Sequence, residues 1–178
     1  NGKDIFSMDS EYRKLLGYLP QDFGFYPEFT VEDYLLYIAA LKGIRPVVAK
    51  KRVKELIAKV GLSKAAHKKM KKLSGGMKRR AGIAQAMLNN PKILILDEPT
   101  AALDPIAEFE VYNNFDKLVG GKTAVYISHR LSSCRFCDRI IVFDGGTIIE
   151  DGSHDKLMEN QKGFYYNMYN TQAKHYQN

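Results

Sequence analysis

The segment Ile93-Leu94-Ile95-Leu96-Asp97-Glu98-Pro99 places two adjacent carboxylates directly after a continuous apolar run. The run predicts a β-strand, Ile93–Leu96, that is buried on both faces, as strands of parallel sheets are. Open α/β sheets bind ligands at the carboxyl ends of their strands. At that edge Asp97 can hold Mg²⁺. Successive side chains of a strand point to opposite faces, so Glu98 points away from Asp97 and can polarise a water. The alternative is a strand that simply ends in charged surface residues, and this segment alone does not separate the two.

Predicted strands and helices alternate along the rest of the chain. Residues 15–19 and 123–128 are apolar strand candidates, and strands 139–143 and 147–150 form a hairpin around Asp144-Gly145-Gly146. This alternation predicts an α/β fold with a mainly parallel sheet, interrupted by an all-helical stretch over residues 24–90. Apolar spacing, capping residues and terminal Gly or Pro predict helices over 31–41, 46–61, 64–70, 74–89, 105–119 and 131–137, and a helical tail from 153.

A glycine pair precedes one of these helices, in Leu73-Ser74-Gly75-Gly76-Met77. Ser74 is a helix cap, and the glycines allow a ligand to approach backbone N–H groups that favour an anion. Without further context, an ordinary capped helix explains the segment equally well. Two other polar residues follow predicted strands, Gln21 and His129, and each is weak evidence taken singly.

The positive charge of the chain is concentrated around this glycine pair. Residues 64–80 contain eight Lys/Arg and no Asp/Glu, which accounts for the whole formal net charge of +7. Surfaces that bind single-stranded nucleic acid interleave aromatic side chains with such charges, and this run has none. We therefore expect a local phosphate site and no specific nucleic-acid partner.

Length and composition exclude several classes of protein. The chain has 178 residues, which suits one compact domain. The longest apolar run, residues 34–41, is far shorter than the roughly 20 residues that cross a bilayer, and no signal peptide is readable. The chain has two cysteines, Cys134 and Cys137, and the single disulfide that they could form would not stabilise a secreted fold of this size. We therefore expect a reducing compartment and cysteines with a structural role.

The order of these motifs resembles the ATP-binding-cassette (ABC) transporter ATPases across nearly the entire chain. It runs from Gln21 through Leu73–Met77, the Asp97-Glu98 pair and Ala102-Leu103-Asp104 to Ile127-Ser128-His129. The resemblance implies a P-loop NTPase core of the ABC ATPase type with an inserted helical subdomain. It implies one domain over 1–178, with the core in 1–23 and 91–178 and the helical subdomain in 24–90.

The resemblance also implies a role for each motif residue. Asp97 is the metal carboxylate, Glu98 the catalytic base, and His129 the switch histidine that steadies the γ-phosphate of ATP. Gln21 contacts Mg²⁺ and the attacking water and faces the membrane subunit. Asp104 crosses the interface of an ATPase dimer.

The glycine pair corresponds to the signature motif of the family. There the signature contacts the γ-phosphate of ATP held by a partner, so the resemblance makes Leu73, Ser74, Gly75, Gly76 and Met77 nucleotide-binding residues. Met77 stands where Gln is commonest in the family, which removes one amide near the nucleotide.

The sequence departs from the family in its phosphate-binding loop. It contains no GxxxxGK[ST], because the only Gly-Lys-Thr, Gly121-Lys122-Thr123, has Asp116 where the first glycine belongs. The opening Asn1–Ile5 resembles the segment that follows this loop in the family. We therefore expect an N-terminally truncated domain that lacks the Walker A loop and is inactive by itself.

The function implied is that of an ATP-binding and ATP-hydrolysing subunit that powers transport across a membrane. Residues up to Pro105 resemble stand-alone bacterial ATPase subunits, whereas 106–140 resemble exporter ATPase domains, which favours export. Expected partners are a transporter membrane domain and a second ATPase domain, at the cytoplasmic face of the cell membrane. The alternatives are an ATP-incompetent fragment that acts as a binding or scaffolding module, and an ABC-type ATPase of nucleic-acid metabolism.

Overall fold

The computed structural model describes residues 4–8, 10–100, 108 and 119–175. The chain divides into two compact units, residues 1–127 and 128–178, and each is described by itself.

A three-stranded parallel sheet organises the first unit. Its strands are β1 (Leu16–Leu19), β2 (Ile93–Asp97) and β3 (Thr123–Ile127), in the order β1-β2-β3. Leu19 pairs with Leu96, and Asp97 pairs with Ile127 at the carboxyl end of the sheet. The parallel pairing and the α/β class are therefore confirmed.

Helices precede β1 and lie between β1 and β2. Two short helices that the sequence did not predict, α1 (Ile5–Met8) and α2 (Ser10–Leu15), lead into β1. Between β1 and β2 lie α3 (Val31–Leu41), α4 (Pro46–Lys59) and α5 (Gly75–Ala86), and the described structure has no named strand over 24–90. The predicted cap of α3 is confirmed, since Oγ1 of Thr30 accepts a hydrogen bond from the Asp33 N–H at 3.1 Å.

Three predicted helices of the first unit differ from the structure, and the smallest difference is that α4 ends at Lys59 and not at Gly61. The predicted helix over 64–70 is wrong, because Ser63–Ala65 and Met70–Lys72 form two short 3₁₀ turns. The backbone at Met70 instead donates a hydrogen bond to the carbonyl of Phe29 at 2.8 Å. Helix α5 ends at Ala86 and not at Asn89, whose side chain donates to the carbonyls of Lys14 and Leu16.

The core of the first unit lies on one face of the sheet. Helix α5 covers the face that carries Leu19, Leu94 and Leu96, all of them at most 1% exposed. The prediction that β2 is buried on both faces is wrong, since Ile93 is 42% exposed. The same face carries further exposed apolar side chains, namely Tyr18, Val125 and Ile127.

The described part of the second unit, residues 128–175, contains a hairpin and three helices. Strands β4 (Ile140–Asp144) and β5 (Thr147–Gly152) pair antiparallel, as predicted, and both turn glycines have positive φ. Helix α6 covers Leu131–Cys134, shorter than the predicted 131–137, and the predicted helical tail is split into α7 (His154–Glu159) and α8 (Phe164–His175). Its small core contains Leu131, Ile140, Leu157 and Tyr165.

The predicted helix over 105–119 lies mostly outside the described residues. Of the span 105–119, only Glu108 and Val119 belong to the described residues, and both are helical.

Candidate functional site

The two adjacent carboxylates lie at the carboxyl end of the central strand. Asp97 is the last residue of β2 and is half-buried, and Glu98 follows it with 7% exposure. Glu98 has φ +48°, the left-handed region that a residue with a Cβ seldom adopts. Its N–H continues the sheet by donating to the Ile127 carbonyl at 2.9 Å. The backbone therefore turns sharply at Glu98, the predicted base.

Gln21 lies beyond the neighbouring strand at the same edge of the sheet. Strand β1 ends at Leu19, the partner of Leu96, and Pro20 separates it from Gln21. The Gln21 side chain is exposed, whereas its backbone carbonyl accepts a hydrogen bond from Arg79 at 2.8 Å. The fold thus brings the end of β1 and the end of β2 to a common point.

That common point is the guanidinium of Arg79, which the sequence analysis did not single out. It is 5% exposed and donates to four backbone carbonyls, those of Pro20, Gln21, Asp97 and Glu98. Burial lowers the pKa of Arg79, and the nearby carboxylates of Asp97, Asp22 and Glu98 oppose that shift. The only sequence signal was a charged residue on a helix face otherwise made of small and apolar residues.

The predicted signature residues open helix α5. Ser74 is its N-cap, and its Oγ accepts from the Met77 N–H at 3.3 Å, while Leu73 is buried beneath the turn. Gly75 and Gly76 are the first two helical residues, so their N–H groups have no acceptor within the helix. Ser74 and Gly75 are exposed, as an anion-binding helix start requires.

The basic run before the signature is partly neutralised. Glu28 accepts hydrogen bonds from Nζ of Lys69 at 2.9 Å and from Nζ of Lys71 at 2.6 Å. These contacts lower the pKa of Glu28 to about 2. A surface hollow of about 570 Å³ beside them is lined by His67, Lys68, Lys69 and Lys72.

Of the remaining predicted site residues, the structure describes His129 but not Asp104. His129 belongs to the second unit, two residues beyond β3; its ring is exposed and its carbonyl accepts from Nε2 of Gln172 at 2.6 Å. Asp104 lies outside the described residues. Gly121-Lys122-Thr123 leads into the amino end of β3, where Thr123 pairs with Ile93, roughly 13 Å along the strand from the Asp97 edge.

The donor set at this edge suits a divalent cation bound together with phosphates. Within the described part of the chain, no group of three or more His, Cys, Asp or Glu side chains could hold a metal ion. Mg²⁺ is usually held by one or two carboxylates plus the phosphates of its substrate, so it does not need such a cluster. Asp97 and the amide oxygen of Gln21 are oxygen donors of the right kind at one edge of the sheet.

The cysteine pair is better explained by structure than by chemistry. Cys134 and Cys137 are half-buried, form no disulfide, and are linked by a backbone hydrogen bond of 3.0 Å. Burial raises the pKa of the Cys137 thiol, and the nearby Asp138 carboxylate adds to that effect, which makes the thiol less reactive.

Comparison with known proteins identifies the family. Residues 1–101 match the family model described as ABC transporter. The chain belongs to the ABC transporter family. The prediction of an ABC transporter ATP-binding domain is therefore confirmed.

Curated relatives of this ABC family member are ATP-binding proteins of transporters. The "Uncharacterized ABC transporter ATP-binding protein YxlF" of Bacillus subtilis (strain 168) is 38% identical over 151 residues, 84% of this chain and 51% of that protein. The "Toxin RTX-III translocation ATP-binding protein" of Actinobacillus pleuropneumoniae is 49% identical over 94 residues, 53% of this chain and 13% of that protein. The chain thus spans about half the length of one relative and a small part of the other. The assignment of its two parts to different branches of the family stays a prediction.

Two solved structures share the fold of this family member. A bacterial Atm1-family ABC exporter with ATP bound superposes with a TM-score of 0.75 at 30% identity, over 90% of this chain and 29% of the exporter chain. A dimeric bacterial ABC transporter cassette superposes with a TM-score of 0.73 at 29% identity, over 86% of this chain and 68% of the cassette. These likenesses confirm the predicted P-loop NTPase core of the ABC type. Among the residues that the structure describes, no helix has the length and apolar composition to cross a membrane.

Proposed function

We propose that this chain is part of an ATPase domain that hydrolyses ATP to power transport across a membrane. The observation that carries the proposal is the shared guanidinium of Arg79, which draws the backbone of Gln21 to that of Asp97 and Glu98. The carboxylates of Asp97 and Glu98 and the amide of Gln21 lie at one edge of the sheet. Metal-assisted transfer of a phosphoryl group to water uses side chains of these kinds, as metal ligands and as a base.

Asp97 and Gln21 would hold the Mg²⁺ that accompanies ATP. The bound cation supplies charge neutralisation for the phosphate oxygens. Asp97 contributes a formal negative charge and Gln21 a neutral oxygen donor. Asp97 is the last residue of β2, and Gln21 lies two residues beyond the end of β1, the strand paired with it. The proposed domain boundaries, with the core in 1–23 and 91–178, place both residues in the core.

Glu98 would accept the proton of the attacking water. A general base needs a fixed position within hydrogen-bond reach of that proton. Glu98 has one, because its N–H is bonded to β3 and its carbonyl to Arg79. Its low exposure removes competing bulk water from the carboxylate.

The signature, Leu73–Met77, would bind the γ-phosphate of ATP held by a second ATPase domain. Its exposed Ser74 and the free N–H groups of Gly75 and Gly76 lie at the positive end of the helix dipole of α5. We assign His129 to steadying the γ-phosphate and Asp104 to the interface between the two domains, on the resemblance of their motifs to the family.

The remaining parts of the proposal concern location and partners. The helical stretch 24–90 would dock on a transporter membrane domain, which selects the substrate, at the cytoplasmic face of the membrane. Similarity to toxin translocation ATP-binding proteins favours export. A nucleic-acid module is less well supported, because Glu28 neutralises part of the basic run and, among the described residues, no Phe, Tyr or Trp lines the hollow beside it. Nothing in the described residues specifically favours a scaffolding role.

The test is the metal dependence of phosphate release. It uses a loop-completed ATPase, in which the phosphate-binding loop of a related ABC cassette precedes residue 1. Asp97→Asn should raise the Mg²⁺ concentration for half-maximal phosphate release at least about tenfold, since a carboxylate ligand becomes a neutral one. Asp155→Asn, a change of the same kind on α7, is the control. An unchanged Mg²⁺ dependence in Asp97→Asn would refute the assignment.

A further inference from the structure

The guanidinium of Arg79 is shared between the ends of two strands. Nη1 donates to the carbonyls of Pro20 and Gln21, both at 2.8 Å. Nη2 donates to the carbonyl of Glu98 at 2.8 Å and to that of Asp97. The guanidinium group of arginine is planar and carries several donors. Here each of its two terminal nitrogens donates to the carbonyls of two consecutive residues.

These carbonyls lie just beyond the point where β1 and β2 stop pairing with each other. The ladder between these two strands ends at Leu19 and Leu96, although Asp97 still pairs with Ile127 of β3. A carbonyl removed from water needs a hydrogen-bond donor, and Arg79 supplies one to the buried carbonyl of Glu98 and to the part-buried carbonyls of Pro20, Gln21 and Asp97. The side chain therefore continues the connection between the two strands where the backbone ladder can no longer do so.

The contact to Glu98 also holds an unfavourable backbone conformation. At φ +48°, the Cβ of Glu98 crowds its own backbone, which would relax in a free chain. The N–H of Glu98 is fixed by the carbonyl of Ile127 at 2.9 Å, and its carbonyl is fixed by Arg79 at 2.8 Å. Both ends of the strained residue are thus restrained, one by the sheet and one by helix α5.

The position of Arg79 on α5 connects the signature to this edge. Arg79 lies on the buried helix face that also carries Gly82, Ile83 and Ala86, at the spacing of one helical stripe. It follows the capping Ser74 by little more than one turn. One side chain thus ties the helix that starts at the signature to both strand ends.

We propose that Arg79 is a positioning residue that keeps Glu98 in its left-handed conformation and fixes Gln21 relative to the Asp97-Glu98 pair. Its catalytic consequence rests on the proposed function, whereas its structural consequence does not. The two are tested by separate measurements.

The first measurement is amide hydrogen exchange, resolved by residue, on the 178-residue chain without nucleotide. Arg79→Lys keeps the positive charge but replaces the fork by one ammonium, which cannot span four carbonyls. We expect the Glu98 amide to exchange at least about tenfold faster, with amides of α5 such as that of Ile83 changed less than about threefold. Arg80→Lys, the same substitution one position along the helix, is the matched control and should leave the Glu98 amide unchanged.

A second pair of variants tests whether Arg79 resists backbone strain at residue 98. Glycine adopts positive φ freely, so in a Glu98→Gly background the effect of Arg79→Lys on the residue 98 amide should fall below about threefold. In a Glu98→Gln background, which keeps the Cβ and removes the charge, the effect should stay near tenfold. Equal effects in both backgrounds would overturn the proposal. So would an unchanged Glu98 amide, or a uniform loss of protection that makes Arg79 a general core residue.

The catalytic consequence is measured in the loop-completed ATPase. Arg79→Lys should lower kcat at least about tenfold and change KM for ATP less than about threefold, since a displaced base affects chemistry more than binding. A rise in KM with unchanged kcat would contradict positioning. Full turnover in Glu98→Gln would refute the proposed function. The hydrogen-exchange result would then still decide whether Arg79 positions residue 98.

Discussion

Gly82 of α5 lies so close to Leu19 of β1 that a Cβ on residue 82 would be 2.8 Å from Cδ1 of Leu19. The same Cβ would also be 3.0 Å from the ring of Phe23. Leu19 is 0% exposed, so it has no free volume into which to move. This close approach sets the distance between α5, which carries the signature and Arg79, and the strand that leads to Gln21.

Gly82→Ala should therefore destabilise the chain by about 1 kcal/mol. Overpacking a tight core costs roughly 1–3 kcal/mol, and the better helix propensity of Ala recovers about 1 kcal/mol of it. Urea unfolding measures the difference. Gly24→Ala, at a position with no atom within 4 Å of the added Cβ, is the control and should be neutral or slightly stabilising. A Gly82→Ala variant as stable as Gly24→Ala would contradict the close packing.

The ion pairs of Glu28 predict an acid-dependent stability. Because Lys69 and Lys71 lower its pKa from 4.5 to about 2, ionised Glu28 stabilises the fold above about pH 4.5, and this contribution is lost as the pH falls toward 2. The stability difference between wild type and Glu28→Gln should accordingly be present at pH 6 and disappear near pH 2, and 1 M NaCl should reduce it. Urea unfolding across this pH range is the measurement, with Glu159→Gln on α7 as control, because Glu159 is exposed and forms no ion pair with another described residue. A difference that stays constant with pH would show that the ion pairs do not form.

The signature should act on the nucleotide of the partner domain. In mixed dimers of the loop-completed ATPase with one Gly75→Asp protomer, we expect one of the two nucleotide sites to fail, since a carboxylate at the start of α5 repels phosphate. Site-resolved trapping of a labelled nucleotide distinguishes the two sites, with Ser63→Asp as an exposed control. Loss of both sites, or of neither, would refute action in trans.

Much of the fold followed from local sequence signals. The apolar segment before Asp97, the caps Thr30 and Ser74, and the Asp144-Gly145-Gly146 turn each predicted an element that is present. The failures came from tertiary contacts. Residues 64–70 have helical composition, yet their backbone hydrogen-bonds to the segment around Phe29. Ile93 belongs to a continuous apolar run, yet it lies on the sheet face opposite the buried Leu94 and Leu96 and is 42% exposed.

Only part of the candidate site could be predicted from the sequence. Asp97, Glu98 and Gln21 could be placed by the rule that ligands gather at the carboxyl ends of parallel strands. Arg79 could not, because its role depends on carbonyls of residues 58 and 59 positions before it and 18 and 19 positions after it. No spacing rule predicts such a contact. The positive φ of Glu98 was equally hidden, since nothing in the sequence marks that residue as one that turns the chain.

The 178-residue chain alone should bind Mg-ATP weakly. Most phosphate contacts in such sites come from the backbone and Lys of a GxxxxGK[ST] loop, a motif that these residues do not contain. We expect a Kd no better than about the millimolar range and negligible hydrolysis, measured by calorimetric titration. Micromolar binding with phosphate release would show that another segment takes the place of that loop, and Lys122→Met would test the Gly121-Lys122-Thr123 triplet.

The most direct test of the central claim is the turnover of Glu98→Gln in the loop-completed ATPase. The amide keeps the size of the side chain but cannot accept a proton, so kcat should fall roughly 10²-fold or more while the Kd for ATP changes less than about threefold. Glu55→Gln, an exposed change of the same kind, should retain full turnover. Wild-type turnover in Glu98→Gln would contradict the claim that this carboxylate is the base of an ATP-hydrolysing site.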